Sequence, residues 1–444
     1  MNISRQTVRS IGSHSVFRYG LANLIPRTTA ILTAIVVTPL GVAKLGPVEY
    51  GYWVLATQVS ALVVAPDFGL GNGVINELGL VHRAEGGLRS QRGRLLGLVK
   101  LLRAAALIWF IIGVTVSVLY VKASATRTGI AWDLLMALVV GLGCFTIGIP
   151  MTVWSRAQLA QEQAHRAVQW EGVGKILTLV ACVVVLVFAP SLLLLVVAYC
   201  LPSTLALWIN ARLYVRREFA AAPPSAIPSF REAIARNRHV MGIGKYFVLL
   251  QVCYLLGVAL DPYLVNSMHS PGDVTYLSVA RRPYDMLPLV VSMFAIALWP
   301  VFARLHANAQ WPRLRRLVIG ISLSGSLLVG LAGAGVLALR TPIYSFLGSG
   351  IVNPPSQDLA WISLHVAFSS GLLVLGNYLN AVSVIRSQAM IMIIGTAVLL
   401  ALKLLVLSVM DIHAFIAVSS AGYVFLIAVP IGLLTMRHLF RARE

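Results

Sequence analysis

Several ionisable residues lie inside long apolar runs of this 444-residue sequence, where a charge is costly. They are Arg27, Asp67, Asp261, Arg281, Arg282, Asp285 and Lys403. A charge within a membrane-spanning helix costs about 3 kcal/mol or more unless it is paired or hydrated, so each such residue is a candidate functional residue. Arginines at these positions could bind an anionic group, with aspartates as pairing or coupling partners.

Arg27 and Asp67 are predicted to lie at similar depths in the membrane. Arg27 comes sixteen residues before the outer end of the first predicted span, and Asp67 comes eighteen residues after the outer start of the second. At a rise of about 1.5 Å per residue, both lie roughly 25 Å from the outer surface. Either they form a coupled pair that faces a cavity, or Arg27 reaches the cytoplasmic headgroups on its own.

Asp261, Arg281 and Arg282 are predicted to lie about 10 Å below the outer surface, on two consecutive spans. Asp285 follows Arg281 by four residues, which places it on the same helix face and allows an ion pair. Two arginines against one or two acids would leave a net positive site for an anionic group. The alternative is a helix that starts at Pro283, which would leave both arginines in an external loop.

The remaining motifs favour structural roles. Lys403 lies near the outer end of its predicted span, so we expect its long side chain to reach the headgroup region. The run from Gly172 through Gly174 to Lys175 lacks the upstream glycine and the following hydroxyl residue of a nucleotide-binding loop, so ATP-driven transport is not predicted. The histidines have no metal-ligand spacing, and neither a metal nor a cofactor is predicted.

The composition requires membrane-spanning helices to position these residues. Hydrophobic residues make up 58% of the chain and charged residues 11%, whereas an ordinary soluble domain carries about 25% charged residues. A water-soluble globule and an intrinsically disordered chain are therefore excluded. Apolar runs of about twenty residues predict an all-α membrane protein with twelve transmembrane helices. Their limits are 18–43, 49–72, 103–121, 132–154, 173–190, 193–212, 243–267, 273–303, 317–339, 359–383, 388–408 and 414–436.

The predicted spans form two sets of six. The longest polar stretch divides them into a first bundle at 1–216, a cytoplasmic link at 217–242 and a second bundle at 243–444. A modest match at an offset of 224 residues indicates an internal repeat. It pairs Pro47, Glu49, Tyr52 and Ala56 with Pro271, Asp273, Tyr276 and Ala280. In both copies, the proline and the acid are expected to open a helix.

The distribution of positive charge predicts the orientation. The formal net charge is +20. With the N-terminus inside, the cytoplasmic side, counted with the inner ends of the spans, holds 27 Lys and Arg residues and the opposite side holds 4. Because cytoplasmic loops of membrane proteins collect Lys and Arg, both termini are predicted to be cytoplasmic. The same bias accounts for most of the net charge, so no nucleic-acid partner is predicted.

Short motifs resemble those of a known family. The run Leu45–Trp53 (LGPVEYGYW), followed by Asp67–Gly71 (DFGLG), resembles the first helical hairpin of bacterial polysaccharide exporters of the Wzx type. Trp299–Phe302 (WPVF) is similar to a motif in the second half of that family. These exporters belong to the multidrug/oligosaccharidyl-lipid/polysaccharide (MOP) superfamily, and the layout of six plus six helices covers the whole chain.

The resemblance implies two pseudo-symmetric six-helix bundles that form a V, as in the MATE transporters of the superfamily. Spans 1, 2, 7 and 8 would line a central cavity that opens alternately to each side. In relatives, arginines of those spans engage the pyrophosphate and anionic sugars of an undecaprenyl-linked glycan. The positions that match by helix are Arg27, Arg281 and Arg282. The coupling or charge-pairing residues would then be Asp67, Asp261 and Asp285.

The resemblance further implies a flippase, not an enzyme, in the bacterial cytoplasmic (inner) membrane. It would move undecaprenyl-pyrophosphate-linked oligosaccharide repeat units, such as those of O-antigen, from the inner to the outer leaflet. Its partners would be that lipid-linked oligosaccharide, the membrane lipids, and a polysaccharide polymerase with its chain-length regulator. Protons, sodium ions or the membrane potential could drive the cycle, and the sequence does not select among them or among the sugars.

Three alternatives stay open. The cargo could be a peptidoglycan precursor or a teichuronic-type repeat. A drug or cation exporter of the same fold would need acidic cavity residues, whereas the spans hold four basic and three acidic residues. A membrane-embedded glycan polymerase or ligase would need a sizeable external loop for its catalytic groups, and no predicted external loop exceeds about twenty residues.

Overall fold

The fold is described here from a computed structural model, for residues 5–63, 92–128, 132–160, 163–219, 228–235, 249–382 and 384–441. Every regular element in those ranges is helical, as the apolar runs predict. The described residues fall into two compact units. The first unit draws on Met1–Val37 and Leu55–Val248, and the second on Thr38–Val54 and Leu249–Glu444. The predicted domain limits at 216 and 243 stay a prediction, because residues 220–227 and 236–248 lie outside the described ranges.

The first unit is built from long apolar helices. A short 3-10 turn that contains Pro150 joins its third helix to its fourth. The helices are α1 (Arg5–Val63, shared with the second unit), α2 (Arg92–Thr128), α3 (Trp132–Gly148), α4 (Thr152–Ala160), α5 (Ala164–Phe188) and α6 (Leu192–Phe219).

The second unit contains the remaining helices and two π-helical turns, at Leu255–Ala259 and Val424–Ala428. Its helices are α7 (Asp261–Met268), α8 (Pro271–Met286), α9 (Pro288–Ala307), α10 (Trp311–Ala338), α11 (Arg340–Leu347), α12 (Ser356–Ala381), α13 (Ile385–Val409), α14 (Ile412–Tyr423) and α15 (Val429–Arg441). Aromatic side chains fill much of its core. Fully buried examples are Tyr284, Phe302, Tyr344, Tyr378 and Phe415.

The first predicted span and the described part of the second, up to Val63, lie in one long helix that is broken at Gly46. This glycine has φ 78° and ψ 170°, a backbone conformation that residues with a side chain rarely adopt. The segment Thr38–Val54 around the break packs within the second unit. There, the Thr275 hydroxyl donates a hydrogen bond to the carbonyl of Pro47. The motif behind the family resemblance therefore packs against α8.

Helix α8 begins where the internal repeat predicts. Pro271 is its first residue, and Ser270 is the N-cap whose hydroxyl accepts from the amide of Asp273 at 3.2 Å. The same hydroxyl donates a hydrogen bond to the Asp273 carboxylate at 2.7 Å. The N-cap residue is therefore Ser270 and not the acid, and Asp273 supports the cap from the first turn of the helix. Pro283 lies inside α8. The alternative start at Pro283 is therefore wrong, and both arginines lie within the helix.

The number of candidate spans depends on how broken helices are counted. Among the described residues, nine helices are long and apolar enough to cross a membrane. A tenth candidate is the bent pair Leu249–Ala259 and Asp261–Met268, whose axes differ by 41°. The first of the twelve predicted spans and residues 49–63 of the second fall within α1, and the rest of the second lies outside the described residues. The eighth is divided between α8 and α9.

Apolar side chains on the outer faces of these helices suit a lipid environment. On α10, Leu323, Leu327 and Leu331 follow one another at four-residue spacing, and each is about two-thirds exposed. Exposed leucines in such numbers would be unfavourable in water. The chain is a multi-pass membrane protein.

Candidate functional site: a buried charge cluster in the second unit

Asp261 is the centre of a charge cluster inside the second unit. It is the first residue of α7 and only 1% exposed. Its Oδ1 atom lies 2.6 Å from the Nζ atom of Lys403, which is on α13 and fully buried. A buried carboxylate and a buried ammonium are each costly alone, and this short contact offsets part of that cost.

Local backbone geometry supplies Lys403 with a second acceptor. Lys403 also donates to the carbonyl of Gly257, which lies in the π-helical turn before α7. In the five-residue spacing of a π-helix, the partner of this carbonyl would be the amide of residue 262. Residue 262 is proline and has no N–H, so the side chain of Lys403 can satisfy the carbonyl instead.

Arg281 joins the buried carboxylate to a more exposed one. Its Nη1 atom lies 3.4 Å from Oδ2 of Asp261, and its Nε atom lies 3.8 Å from Oδ1 of Asp285. The Arg281 side chain is 20% exposed, whereas that of Asp285 is 53% exposed. Ser419 on α14 also donates to Asp261 Oδ2, at 3.3 Å. Asp261 therefore accepts hydrogen bonds from side chains on three other helices of the unit, α8, α13 and α14.

Arg282 contacts the segment around Gly46. Its Nη2 atom donates to the hydroxyl of Tyr50 at 3.2 Å. That hydroxyl donates in turn to the Thr38 hydroxyl, 3.2 Å away, on the other side of the break. Tyr50 is fully buried, which fixes the position of its hydroxyl. Arg282 is therefore oriented by the residues that carry the family resemblance.

A small cavity adjoins the cluster. Its volume of about 10 Å³ has room for roughly one water molecule. The cavity is lined by Asp261, Leu277, Arg281, Ile362, His365, Phe415, Ile416, Ser419 and Ser420. Polar and apolar groups from α7, α8, α12 and α14 thus meet at Asp261.

The cluster carries a net positive charge. Arg281, Arg282 and Lys403 contribute three positive charges, and Asp261 and Asp285 contribute two negative charges. Lys403 and Asp261 neutralise each other deep in the unit. Arg281 and Arg282 are adjacent on α8 and both are partly exposed, and guanidinium groups are suited to bind an anionic group.

The structure brings together only some of the predicted site residues. The predicted proximity of Asp261 to Arg281, and of Arg281 to Asp285, is present. Arg27 is half-buried on α1 in the first unit. Its predicted partner Asp67 lies outside the described residues, so that pairing stays a prediction.

The expectation for Lys403 is wrong. It does not reach the headgroup region but is buried against Asp261. A depth comparison could have found this pair, because Asp261 lies six residues and Lys403 five residues before the outer ends of their predicted spans. Sequence reasoning also missed Tyr50 and Ser419 as site residues. Tyr50 lies in the Leu45–Trp53 run of the family resemblance, which could have pointed to it, whereas we identify no signal for Ser419.

A second buried carboxylate lies elsewhere in the same unit. Asp358, in the first turn of α12, is 2% exposed. Its Oδ2 atom accepts from the hydroxyl of Tyr276 at 2.6 Å and lies 2.7 Å from Nδ1 of His413. Tyr276 lies on α8 and His413 on α14, so this group of three fastens α8 to its neighbours.

A comparison with protein families identifies the family. The sequence model of a family described as "polysaccharide biosynthesis protein" matches residues 15–306, which is more than half of the chain. The chain belongs to this family. This chain has no significant match among curated protein sequences.

Solved structures with the same fold include transporters of the MOP superfamily. An inward-facing MATE multidrug-resistance transporter has a TM-score of 0.70 and 14% identity, over 96% of this chain and 99% of that one. The lipid II flippase MurJ, in an inward closed conformation, has a TM-score of 0.66 and 13% identity, over 95% of this chain and 91% of that one. A MOP transporter from Pyrococcus furiosus, described as having a binding pocket of reverse polarity, has a TM-score of 0.62 and 13% identity, over 97% of this chain and 96% of that one.

These comparisons confirm the family and fold that the motifs predict. The family match includes Leu45–Trp53 and Trp299–Phe302, the segments on which the resemblance depends. The similarity to MATE transporters and to MurJ extends over nearly the whole chain, and at 12–14% identity it establishes the fold alone. This family member is therefore a membrane protein of polysaccharide biosynthesis with the MOP fold.

Proposed function

We propose that this protein is a flippase for a lipid-linked oligosaccharide. It would move undecaprenyl-pyrophosphate-linked repeat units from the inner to the outer leaflet of the bacterial cytoplasmic membrane. The observation that carries the proposal is the net positive cluster around Arg281 and Arg282, within a member of the polysaccharide biosynthesis family. The lipid II flippase MurJ, a structural neighbour, is named for a lipid-linked cargo.

The arginines suit a diphosphate for chemical reasons. A guanidinium stays protonated in an apolar environment and offers parallel N–H groups that match two phosphate oxygens. Arg281 is held from behind by the buried Asp261 and faces the more exposed Asp285. An arriving diphosphate would replace Asp285 as the partner of Arg281, while Asp261 keeps the arginine in place.

The proposed cycle changes the side of the membrane to which the cargo site opens and makes or breaks no covalent bond in the cargo. Arg281 and Arg282 would hold the pyrophosphate and anionic sugars, and the polyprenyl tail would stay in the lipid. Binding must be reversible, and the opposing charge of Asp285 next to Arg281 limits how tightly an anion is held. A polysaccharide polymerase and a chain-length regulator would act on the delivered repeat units.

The test uses a strain from which the gene is deleted. We expect lipid-linked oligosaccharide to accumulate on the cytoplasmic face, where an impermeant lectin cannot reach it, and the intact gene to restore surface glycan. Mass spectrometry of the accumulated lipid identifies the cargo. Completed single repeats on the outer face would instead indicate a polymerase or ligase. An unchanged lipid-linked pool with altered drug sensitivity would indicate a drug exporter.

The arginines are tested in the same strain. The double variant Arg281→Ala/Arg282→Ala should reduce surface glycan about tenfold or more, because each charge-assisted hydrogen bond contributes roughly 1.5–3 kcal/mol. Arg340→Ala is the matched control, since Arg340 lies in the second unit but outside the cluster. Membrane content of each variant is measured by immunoblot. Normal glycan from the double variant would contradict the assignment.

A further inference from the structure

A second polar cavity lies in the first unit, separate from the charge cluster. It has a volume of about 400 Å³, which lies in the size range of small-molecule sites. The lining residues come from α4, α5 and α6 and are Thr152, Ser155, Arg156, Leu159, Ala167, Val168, Trp170, Glu171, Lys175, Ser203, Leu207 and Asn210. We call this the α4–α6 cavity.

The cavity faces away from the hydrocarbon of the bilayer. On α5, the lining residues Ala167, Glu171 and Lys175 follow one another at four-residue spacing and share one helix face. The exposed apolar residues lie on the opposite faces of α5 and α6. They are Val173, Ile176, Leu177, Val180, Leu201, Leu205 and Ile209. Because Glu171 in the lining is itself exposed, a ligand can reach the cavity from water.

The predicted orientation places the cavity on the cytoplasmic side of the membrane. The fourth predicted span ends at residue 154 and the fifth begins at residue 173, with a cytoplasmic connection between them. The lining residues from Ser155 to Glu171 belong to this connection. The expected occupant is therefore a polar molecule, or the polar part of a molecule, on the cytoplasmic side.

The lining offers hydrogen-bond donors and acceptors together. Thr152, Ser155 and Ser203 each carry a hydroxyl group, which can donate one hydrogen bond and accept two. Asn210 uses one N–H and its oxygen in an exchange with Gln158, so its amide keeps a second N–H. A lining that both donates and accepts matches a ligand rich in hydroxyl groups, because each hydroxyl of the ligand also does both.

The charges in the lining oppose each other. Glu171 supplies a carboxylate and Lys175 an ammonium group. Arg156 already interacts with another group of the protein, so its charge is not free for a ligand. Lys175 disfavours a cationic drug, and Glu171 disfavours a diphosphate, since like charges repel. The cavity therefore suits a polar ligand with little or no net charge.

Apolar groups complete the lining. The Trp170 indole lines the cavity together with Leu159, Val168 and Leu207. Trp170 is half-buried, so part of its side chain remains accessible. Sugar rings carry hydroxyl groups at their edges and C–H groups on their faces, and a large aromatic side chain with a polar N–H suits both. An indole among hydroxyl groups and opposed charges thus points to a carbohydrate.

Specific contacts between the three helices define the shape of the cavity. Gln158 of α4 and Asn210 of α6 are both buried and exchange amide hydrogen bonds of 2.9 and 3.0 Å. Thr178 of α5 and Ser203 of α6 are joined by a hydrogen bond of 3.1 Å. Gly174 lets α5 approach α6, since a Cβ atom on it would lie 3.0 Å from the Ser203 Cα atom. A cavity fixed by the fold binds its ligand at a lower entropic cost.

We propose that the α4–α6 cavity binds a short oligosaccharide. The Trp170 indole contacts the faces of the sugar rings, and Ser155, Glu171 and Lys175 form hydrogen bonds with their hydroxyl groups. Two sources carry this chemistry: the glycan of a lipid-linked repeat unit at the inner leaflet and a soluble oligosaccharide of the cytoplasm. The first rests on the flippase function proposed above, and the second is independent of it.

Calorimetric titration of the purified full-length protein tests the proposal. The probe is the oligosaccharide fraction released by partial acid hydrolysis of the surface polysaccharide of the same strain, which contains neither a lipid nor a pyrophosphate. The detergent must lack a sugar headgroup, because a maltoside would compete. We expect one saturable site that neither pyrophosphate nor the apolar cation tetraphenylphosphonium blocks. No binding up to about 10 mM, or displacement by tetraphenylphosphonium, would overturn the proposal.

Variants locate the site. Trp170→Ala should weaken oligosaccharide binding about tenfold, and Glu171→Gln should weaken it about three- to tenfold. Trp170→Phe keeps an aromatic ring and should bind within about threefold of the unchanged protein. Trp132→Ala is the matched control, because Trp132 is an exposed tryptophan of the same unit outside the lining. Weakening by Trp132→Ala equal to that by Trp170→Ala would overturn the proposal.

Two further measurements complete the test. Size-exclusion profiles and melting temperatures show whether each variant folds, and Trp170→Phe compared with Glu171→Gln still tests the site if Trp170→Ala does not fold. In the deletion strain, reduced surface glycan from Trp170→Ala at normal membrane content identifies the lipid-linked source. Normal surface glycan, together with weakened binding, identifies the soluble source. Because binding is measured without transport, a failed flippase assay leaves the binding result standing.

Discussion

At the scale of single residues, the pairing of Asp261 with Lys403 dominates the second unit. The two atoms lie 2.6 Å apart in a place that water hardly reaches. Removing one partner leaves the other as an uncompensated buried charge, which is more costly than losing both. This asymmetry distinguishes a buried pair from a surface salt bridge, which contributes little.

We therefore expect Lys403→Met to lower the free energy of unfolding in detergent by about 3 kcal/mol. The double variant Asp261→Asn/Lys403→Met should recover at least half of that loss, because neither buried charge remains. Denaturant unfolding followed by circular dichroism measures the double variant and both single variants, Lys403→Met and Asp261→Asn. Lys122→Met, at an exposed lysine of α2, is the control. Strict addition of the two single effects would contradict the pairing.

At the scale of elements, α8 carries both arginines and is anchored at its start. Its N-cap is Ser270, and Tyr344 of α11 donates to the carbonyl of Ala280 within it at 2.7 Å. Burial raises the pKa of the Tyr344 hydroxyl, so it remains a hydrogen-bond donor across the physiological pH range. Gly51 lets the segment around the α1 break approach α8, since a Cβ there would collide with the Pro271 carbonyl.

Gly51→Ala should therefore destabilise the protein by about 1–3 kcal/mol, because the helix must shift to admit the methyl group. The matched control is Gly320→Ala on α10, where a Cβ meets no atom within 4 Å. That change should be neutral or stabilising by up to about 1 kcal/mol, since alanine is the better helix former. Melting temperatures of the two purified variants compare them directly. Equal destabilisation by both changes would argue against the close approach.

The cap of α8 permits a milder test. Ser270→Ala removes the hydroxyl that accepts from the Asp273 amide and should cost about 1 kcal/mol. Ser345→Ala serves as control, because Ser345 is an exposed serine whose hydroxyl donates to the Pro342 carbonyl in its own helix and caps no helix start. Thermal unfolding followed by fluorescence measures both variants. A loss of stability from Ser345→Ala as large as that from Ser270→Ala would contradict the role of the cap.

At the scale of the whole molecule, the positive charge predicts how the chain sits in the membrane. The predicted cytoplasmic side, counted with the inner ends of the spans, holds 27 Lys and Arg residues against 4 on the other side. Translocating a loop rich in Lys and Arg is unfavourable, so this ratio orients the entire chain and not a single helix.

Fusions to reporter proteins test this orientation. Green fluorescent protein joined after residue 444 should fluoresce, and alkaline phosphatase at the same position should be inactive, because the C-terminus is predicted to be cytoplasmic. A phosphatase fusion at residue 353, between α11 and α12, should be active. Reversal of either result would contradict the predicted orientation and, with it, the inner-to-outer direction of the proposed transport.

The sequence by itself determined the features that depend on local composition. Apolar runs specify membrane helices because each span must satisfy its own backbone hydrogen bonds and expose apolar side chains to lipid. The start of α8 is likewise local, since Ser270, Pro271 and Asp273 form a cap without help from distant residues. The four-residue spacing of Arg281 and Asp285 was sufficient to predict their ion pair.

Only the tertiary structure decided which distant residues meet. Lys403 pairs with Asp261 across 142 positions of the chain, and Arg282 contacts Tyr50 across 232. Depth along a span follows from counting residues, but a contact also requires that two helices turn the right faces toward each other. That rotation is set by side-chain packing over the whole unit. For this reason Lys403, expected at the headgroups, is instead the buried partner of Asp261.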